Sequence, residues 1–485
     1  MMYDLGKELV DACICLRIGF LVCALSGSGA PALAQISAPP AALHKSENLT
    51  VTGHFQGGVN LVAEHNLFWD FGETVAGVTD FDPNAEWFEA YVKPGVTFEQ
   101  RMSDQASFYG GLSGVGSMTI GTDAFDAGDT GRVTLEEAYL GWRYRADETT
   151  FDLSVGPRTF KAGTGMLIES GGSSGFSRGA LKLGPRKAWG LAVLGAVSHG
   201  GFTGTGFYLD PNESPDNDSH NRLTGVDFRY DSNPNALIGV TAGKVIEFEA
   251  PYPKAPLGGV GFPSIIPGAR DGLEFVNLYG RAPLAGLPNA FMAADLAFER
   301  NDRIDLRAWA GRAQVGYTFA EHRWQPTLSV GYQTFSGDDP NTDRLERFDP
   351  LYYEGNPSAW STGTKSSMVF INSNVNSWQI AASIKPTPRD TFTARLHRIE
   401  ADQLRSPIQF GQATRVEGDD VNNPITGVTR RHLSDDLYVE YFRVVSPNLY
   451  LTSGFSVSVP GAGIRSIVDS APVWSGAYIN LIANY

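Results

Sequence analysis

Residues 474–485 read Trp474-Ser475-Gly476-Ala477-Tyr478-Ile479-Asn480-Leu481-Ile482-Ala483-Asn484-Tyr485. Ala477, Ile479, Leu481, Ala483 and Tyr485 share one parity, while Gly476, Asn480 and Asn484 share the other. Successive side chains of a strand point to opposite faces, so the stretch presents one apolar face and one more polar face. Trp474, Tyr478 and Ile482 fall on the second parity, which makes the alternation imperfect there. The sequence stops on a large aromatic of the apolar face. Termini of soluble domains usually fray. In a transmembrane β-barrel the last strand closes against the first and leaves no open edge. The expectation is therefore an all-β antiparallel transmembrane barrel.

The same grammar runs backwards through the chain. Phe55, Val59 and Leu61 alternate with His54, Gln56 and Asn60, and Phe88, Ala90 and Val92 alternate with Glu89, Tyr91 and Lys93. Further strands are expected at about 105–118, 137–143, 151–158, 188–197, 225–246, 273–282, 291–300, 307–319, 325–335, 375–385, 391–400, 435–445 and 448–459. Short turns rich in Pro, Asn, Asp and Ser, such as Ser446-Pro447-Asn448, join some of them. Long connections lie near 67–85, 167–187, 209–223, 246–271, 336–366 and 401–432. Short turns at one end and long loops at the other are the habit of an outer-membrane barrel, with the long loops outside the cell. A soluble sandwich shares the alternation but has no reason for that asymmetry. At ~25 residues per strand with its connection, the chain suits roughly 16–18 strands, enough for an aqueous lumen.

Composition is even from about residue 49 to the end, so residues 49–485 are expected to form one barrel domain, preceded by a short segment at 35–48. Residues 1–34 read as a secretory signal peptide: Lys7 and Arg17 supply positive charge, Ile18 to Leu25 the apolar heart, and Ala32-Leu33-Ala34 the cleavage pattern. All three cysteines (Cys13, Cys15 and Cys23) fall inside it. The mature chain then has no thiol for a disulfide, a nucleophile or a zinc site. A net charge of −15 argues against nucleic acid as a partner.

The most specific motif region is 326–352. A strand ends in Ser336-Gly337-Asp338, and Phe348-Asp349-Pro350-Leu351-Tyr352 follows. With Glu137-Ala138-Tyr139-Leu140-Gly141-Trp142-Arg143, Val155-Gly156-Pro157-Arg158, Gly163-Thr164-Gly165 and Arg270-Asp271-Gly272-Leu273, it resembles the alginate export family of outer-membrane β-barrels. The closing strand likewise resembles the C-terminal signal read by the barrel-assembly machinery. Where the family commonly has Arg-Gln after the glycine, this chain has Pro157-Arg158. The resemblance implies an 18-stranded barrel in the bacterial outer membrane. It would pass an acidic exopolysaccharide outwards through a lumen with a basic constriction. It also implies outer-membrane lipid, the assembly machinery and periplasmic polysaccharide-secretion proteins as partners, and no enzyme activity. The alternative is a porin-like channel for small acids or sugars, since barrels of one family need not share a substrate.

A polyuronate carries one carboxylate per sugar, and arginine matches a carboxylate with two parallel hydrogen bonds. Alternation nominates Arg143, Arg158, Arg281, Arg312 and Arg395 as lumen cations, with Lys161 after a change of register. Glu137, Asp295, Glu299, Asp436 and Glu440 share lumen faces and are expected to balance them or line the path. The acidic stretches Asp210–Asp218 and Asp338–Asp343 could hold calcium through oxygen ligands but lack EF-hand spacing; no other cofactor is expected. Gly171-Gly172-Ser173-Ser174-Gly175 has the letters of a nucleophile elbow without a following helix pattern, and the eight histidines are scattered. Neither points to catalysis.

Overall fold

The structure is a computed structural model that describes residues 42–73, 80–215, 218–249, 252–287, 289–353, 362–365, 368–408, 416–417, 425–468 and 470–485. The expected signal peptide at 1–34 lies outside the described residues, as do residues 35–41 of the segment ahead of the barrel.

Eighteen strands form one closed antiparallel barrel, each paired with its sequence neighbours. They are β1 (Leu49–His65), β2 (Ala85–Arg101), β3 (Ala106–Gly121), β4 (Gly131–Ala146), β5 (Thr149–Arg158), β6 (Trp189–His199), β7 (Phe202–Asp210), β8 (Arg222–Asn233) and β9 (Ala236–Glu247). The second half comprises β10 (Glu274–Pro283), β11 (Ala290–Asn301), β12 (Leu306–Thr318), β13 (Thr327–Phe335), β14 (Val375–Thr387), β15 (Asp390–Ala401), β16 (His432–Ser446), β17 (Leu449–Pro460) and β18 (Trp474–Asn484). The seam pairs β1 with β18, from Gln56 opposite Asn484 to His65 opposite Ser475. Tyr485 adds a reciprocal backbone pair to Phe55, at 2.7 and 2.8 Å. Ahead of the seam, Ala42–Lys45 pairs with Thr50–Thr52, on the part of β1 that β18 does not reach.

Two-residue turns at 147–148, 200–201, 234–235, 388–389 and 447–448 lie at one end of the barrel. At the other end are 66–84, 122–130, 159–188, 211–221, 248–273, 336–374, 402–431 and 461–473, with one short turn at 302–305. The expected asymmetry is therefore present, with somewhat longer loops than the sequence suggested.

β7 is absent from the strands read in the sequence. Its inward residues, Phe207 and Leu209, are buried and apolar, and its outward ones include Gly204 and Gly206. Polarity there does not alternate as a wet lumen would require, so the period-2 signal fails. Elsewhere it holds. Phe55, Leu61, Val92, Phe108, Leu112, Leu140, Leu296, Val315 and Trp378 are exposed on the outer face. Asn60, Glu89, Ser117, Asp295, Gln333, Gln379 and Asp436 are buried on the inner one. An exposed apolar band running round the whole barrel is a lipid-facing surface, far beyond the patch a water-soluble monomer tolerates.

The largest apolar core is inside the barrel and built by its loops. Leu67, Phe68 and Trp69 from loop 66–84, Met166, Leu167 and Ile168 from loop 159–188, and Leu345, Phe348 and Phe370 from loop 336–374 are fully or almost fully buried. They pack against the wall residues Trp189, Phe335 and Trp474. Trp69 stands edge-on to Trp474 with ring centroids 5.4 Å apart and stacks on Phe370 at 5.6 Å. Several long loops thus fold back into the bore as a packed plug.

Candidate functional site: a barred lumen

Loop 159–188 crosses the bore. Its first part meets β11 and β12: Thr164 bonds to Asp295, and Arg312 donates to the Thr164 hydroxyl at 3.1 Å. Its last part meets β1 to β4. Arg186 donates to Ser117 Oγ on β3 at 2.8 Å, to Thr134 Oγ1 on β4 at 2.8 Å and to the Arg132 carbonyl at 2.9 Å. In a ring of eighteen, β3 and β12 stand nine strands apart, which is diametrically opposite. Gly179 lets the loop lie flat on the wall: its φ is +64°, and a Cβ there would sit 2.9 Å from Thr119 N.

The loop carries Lys161, Arg178, Lys182, Arg186 and Lys187 against the single acid Glu169. A chain of net charge −15 therefore places a concentrated positive segment across its own lumen. The wall answers with buried acids. Glu89 accepts the backbone N–H groups of Lys182 and Leu183 at 2.9 and 2.8 Å. Glu136 accepts those of Lys187 and Ala188 and pairs with Lys93 Nζ at 2.9 Å. Glu136 faces inwards because of a β-bulge: Ser113 pairs with Glu137 and Gly114 with Leu135, leaving Glu136 as the extra residue. Arg178 and Arg186 are buried. Burial, with Arg178 nearby, pushes Arg186 down to about 10, so it stays charged at neutral pH.

Loop 336–374 forms the second half of the plug. Its Asp349 pairs with Arg270 at 2.6 Å, and the Asp349 N–H donates to Glu299 on β11 at 2.8 Å. Tyr352 is bonded through its backbone to Leu167 and Glu169 of the first loop. Further along, the N–H groups of Thr364 and Lys365 donate to Asp436 on β16 at 2.8 and 3.0 Å, and Lys365 Nζ pairs with Glu64 on β1. Lys182 of the first loop reaches the same Glu64 at 2.8 Å. Trp474 Nε1 donates to it at 2.9 Å. Among the described residues, the two loops are thus held to the wall by charged and polar contacts.

The residues nominated from sequence fall into distinct settings. Arg143 is bound in the wall, 2.8 Å from Asp152 and 4.6 Å above the Tyr109 ring. Arg312 is buried 3.5 Å from Asp295. Lys161 belongs to the crossing loop rather than to a strand and pairs with Glu169 at 2.6 Å. Arg281 lies near the short-turn mouth and donates to the Pro234 carbonyl. Arg158 and Arg395 have no carboxylate at ion-pair distance among the described residues. Arg158 lies 4.5 Å over Tyr139 and donates to Ser154, and Arg395 lies 5.6 Å from the Tyr438 ring. Of the acids, Glu137 accepts from Ser113 and Glu440 from Tyr438. Asp295, Glu299 and Asp436 hold the plug. Sequence reading missed Glu64, Glu89, Glu136, Arg178, Lys182, Arg186 and Lys365. Parity marked Glu89 as polar-facing, and the density of cations in the glycine-rich stretch 171–187 was the signal for Arg178, Lys182 and Arg186.

In the acidic stretches considered for calcium, Asp210 faces Arg222 at 3.3 Å, and Asp338 accepts the N–H groups of Glu346 and Arg347. Asp216 and Asn217 lie outside the described residues. Ser173, in the elbow-like stretch, bonds to the Asn212 carbonyl and receives Arg178.

The fold has relatives among solved structures. OccK7 (OpdD) of Pseudomonas aeruginosa aligns over 91% of this chain and 99% of its own, at 11% identity and a TM-score of 0.50. OccK8 (OprE) of the same organism aligns over 90% and 98%, at 10% identity and a TM-score of 0.49. The likeness to OccK7 speaks for the barrel fold alone. No curated protein matches the sequence. One family model matches, however. Residues 297–472, from the end of β11 through β17 and including the second plug loop, match the alginate export family, the same family that the chain's motifs resemble.

Proposed function

We propose that the protein is an outer-membrane channel through which an acidic polysaccharide of the polyuronate kind leaves the periplasm. The observation that carries this reading is the crossing loop, which sets five cations and one acid across the bore of an otherwise acidic chain. Arg158 and Arg395, each beside a tyrosine ring and without a carboxylate at ion-pair distance among the described residues, add cationic points on the wall. Spaced, individually weak cationic contacts suit a polymer that must enter, bind and move on. Transport is passive, driven by synthesis behind the polymer, and the barrel performs no chemistry. Lipid surrounds the apolar band, the assembly machinery inserts the barrel, and periplasmic secretion proteins deliver the polymer. No metal or cofactor takes part.

The plugged bore favours a second reading, a porin-like channel for small acids or sugars. A deletion strain separates the two. Polymer held back in the periplasm supports export; normal secretion with lost uptake of small acids overturns it. In planar bilayers, export requires anion selectivity and block by polyuronate.

A further inference from the structure

We propose that Lys182, Lys365, Trp474 and Trp87 form a carboxylate-binding site that is filled in the closed barrel by the protein's own Glu64, and that a uronate carboxylate opens the plug by taking Glu64's place on the two lysines. The inference rests on the export reading and concerns how the path is opened.

Glu64 is a single carboxylate that receives three donors from three separate parts of the chain. Lys182 comes from loop 159–188, Lys365 from loop 336–374, and Trp474 from the closing strand. The side chains of Glu64 and Lys365 are 1% and 4% exposed, whereas that of Lys182 is 22% exposed, so a solute in the lumen meets Lys182 first. Each ammonium also lies by an indole face, Lys182 5.9 Å from the Trp87 ring and Lys365 5.5 Å from that of Trp474. Flat apolar faces beside a cationic carboxylate site suit a sugar acid, whose ring presents C–H groups beside its charge.

The space is shaped for the pair. A Cβ on Gly476 would overlap both the Glu64 carboxylate and the Lys365 ammonium, so a larger residue opposite Glu64 would have to push the paired ends aside. The plug halves share this anchor at the barrel seam, besides the backbone bonds of Tyr352 to Leu167 and Glu169. Loosening it removes one wall contact from the last part of the first loop and one from residues 362–365 of the second, whose backbone N–H groups are also held by Glu89, Glu136 and Asp436.

A buried ammonium does not leave its carboxylate without a replacement, because an unpaired buried charge is strongly disfavoured. A polyuronate supplies that replacement and keeps both lysines paired as the loops swing inwards. Glu64 stays on the wall, keeps the Trp474 indole donor, and is hydrated by lumen water once the loops part, so its charge is not left buried and unpaired. A neutral glycan offers no second carboxylate, so the exchange selects for acidic polymer without any covalent step.

The test uses the full barrel in planar bilayers, with polyguluronate and a neutral dextran of equal length as probes. Wild-type protein is expected to open from a low-conductance state with polyguluronate and not with dextran. Glu64→Gln should raise the open-to-closed ratio by about 100-fold without any polymer, and Glu64→Asp should restore closure. Heat-modifiable gel mobility establishes that each variant is a folded barrel. Opening of the wild type by dextran as well as by polyguluronate, or a folded Glu64→Gln variant that stays as closed as wild type, overturns the exchange. The export reading fails separately, if polyguluronate neither enters nor blocks a barrel lacking residues 171–186.

Discussion

Replacing Arg312 by Met tests whether the crossing loop is held by a buried ion pair. Arg312 and Asp295 face each other on β12 and β11 at 3.5 Å, with side chains 1% and 0% exposed. Thr164 of the loop bonds to both. In the Met variant, Asp295 remains buried with Thr164 and Asn277 as its polar partners among the described residues, the latter at 3.4 Å. Leaving one member of a buried pair behind costs about 3–5 kcal/mol. Asp295→Asn takes the carboxylate from Arg312 instead and should cost about as much. The double variant removes both charges, keeps an amide for Thr164, and should lose far less than the sum, with a coupling energy of about 2–3 kcal/mol. Reversible urea unfolding in lipid vesicles measures the four species, and proteolysis within residues 159–188 reports on loop release. The reasoning is refuted if Arg312→Met unfolds within about 0.5 kcal/mol of wild type, or if the two single losses simply add.

Neutralising Arg158 and Arg395 together should lower the chloride-to-potassium permeability ratio several-fold, read from reversal potentials. Neutralising the carboxylate-paired Arg143 should change it less. Burial, with the charge of Lys182 adding to it and Glu64 and Asp436 opposing, pushes Lys365 down to about 8 from its ordinary 10.5. The docked loop therefore binds fewer protons than the released loop between about pH 8 and 10.5, so docking strengthens as pH rises through that window. Open probability should fall between those values, and Lys365→Met should flatten the dependence. Removing Tyr485 deletes the two backbone bonds to Phe55 at the seam, each worth about 1 kcal/mol. The truncated barrel should lose its heat-resistant gel band at a lower temperature, and an unchanged temperature would show that the terminal pair does not brace closure.

Much of the barrel was legible because one face of nearly every strand meets lipid and the other meets polar groups. That contrast writes a period of two into the sequence, as in Phe55, Val59 and Leu61 against Gln56 and Asn60. Where the contrast vanishes, so does the signal. β7 turns Phe207 and Leu209 inwards against the plug and was not seen. The mixed second face of β18 has the same cause: Trp474 turns inwards to donate to Glu64, and Tyr478 to meet the Tyr438 hydroxyl.

The lumen charges were legible as directions but not as partners. Parity indicates that Arg143, Arg312 and Arg395 point inwards; it says nothing about whether a carboxylate waits on the next strand. Arg312 and Arg395 look alike in sequence, yet one is buried against Asp295 and the other lies open beside Tyr438. The plug was out of reach for a related reason. Glu64 and Lys365 are 301 residues apart along the chain, and glycine-rich loops carry no periodicity from which their course could be read. The sequence by itself determined the barrel and its two ends, because lipid and water impose their contrast on neighbouring residues along each strand. Tertiary structure alone decided that the long loops turn inwards and lock on Glu64, because ion pairing and packing across a lumen depend on groups that only closure of the barrel brings together.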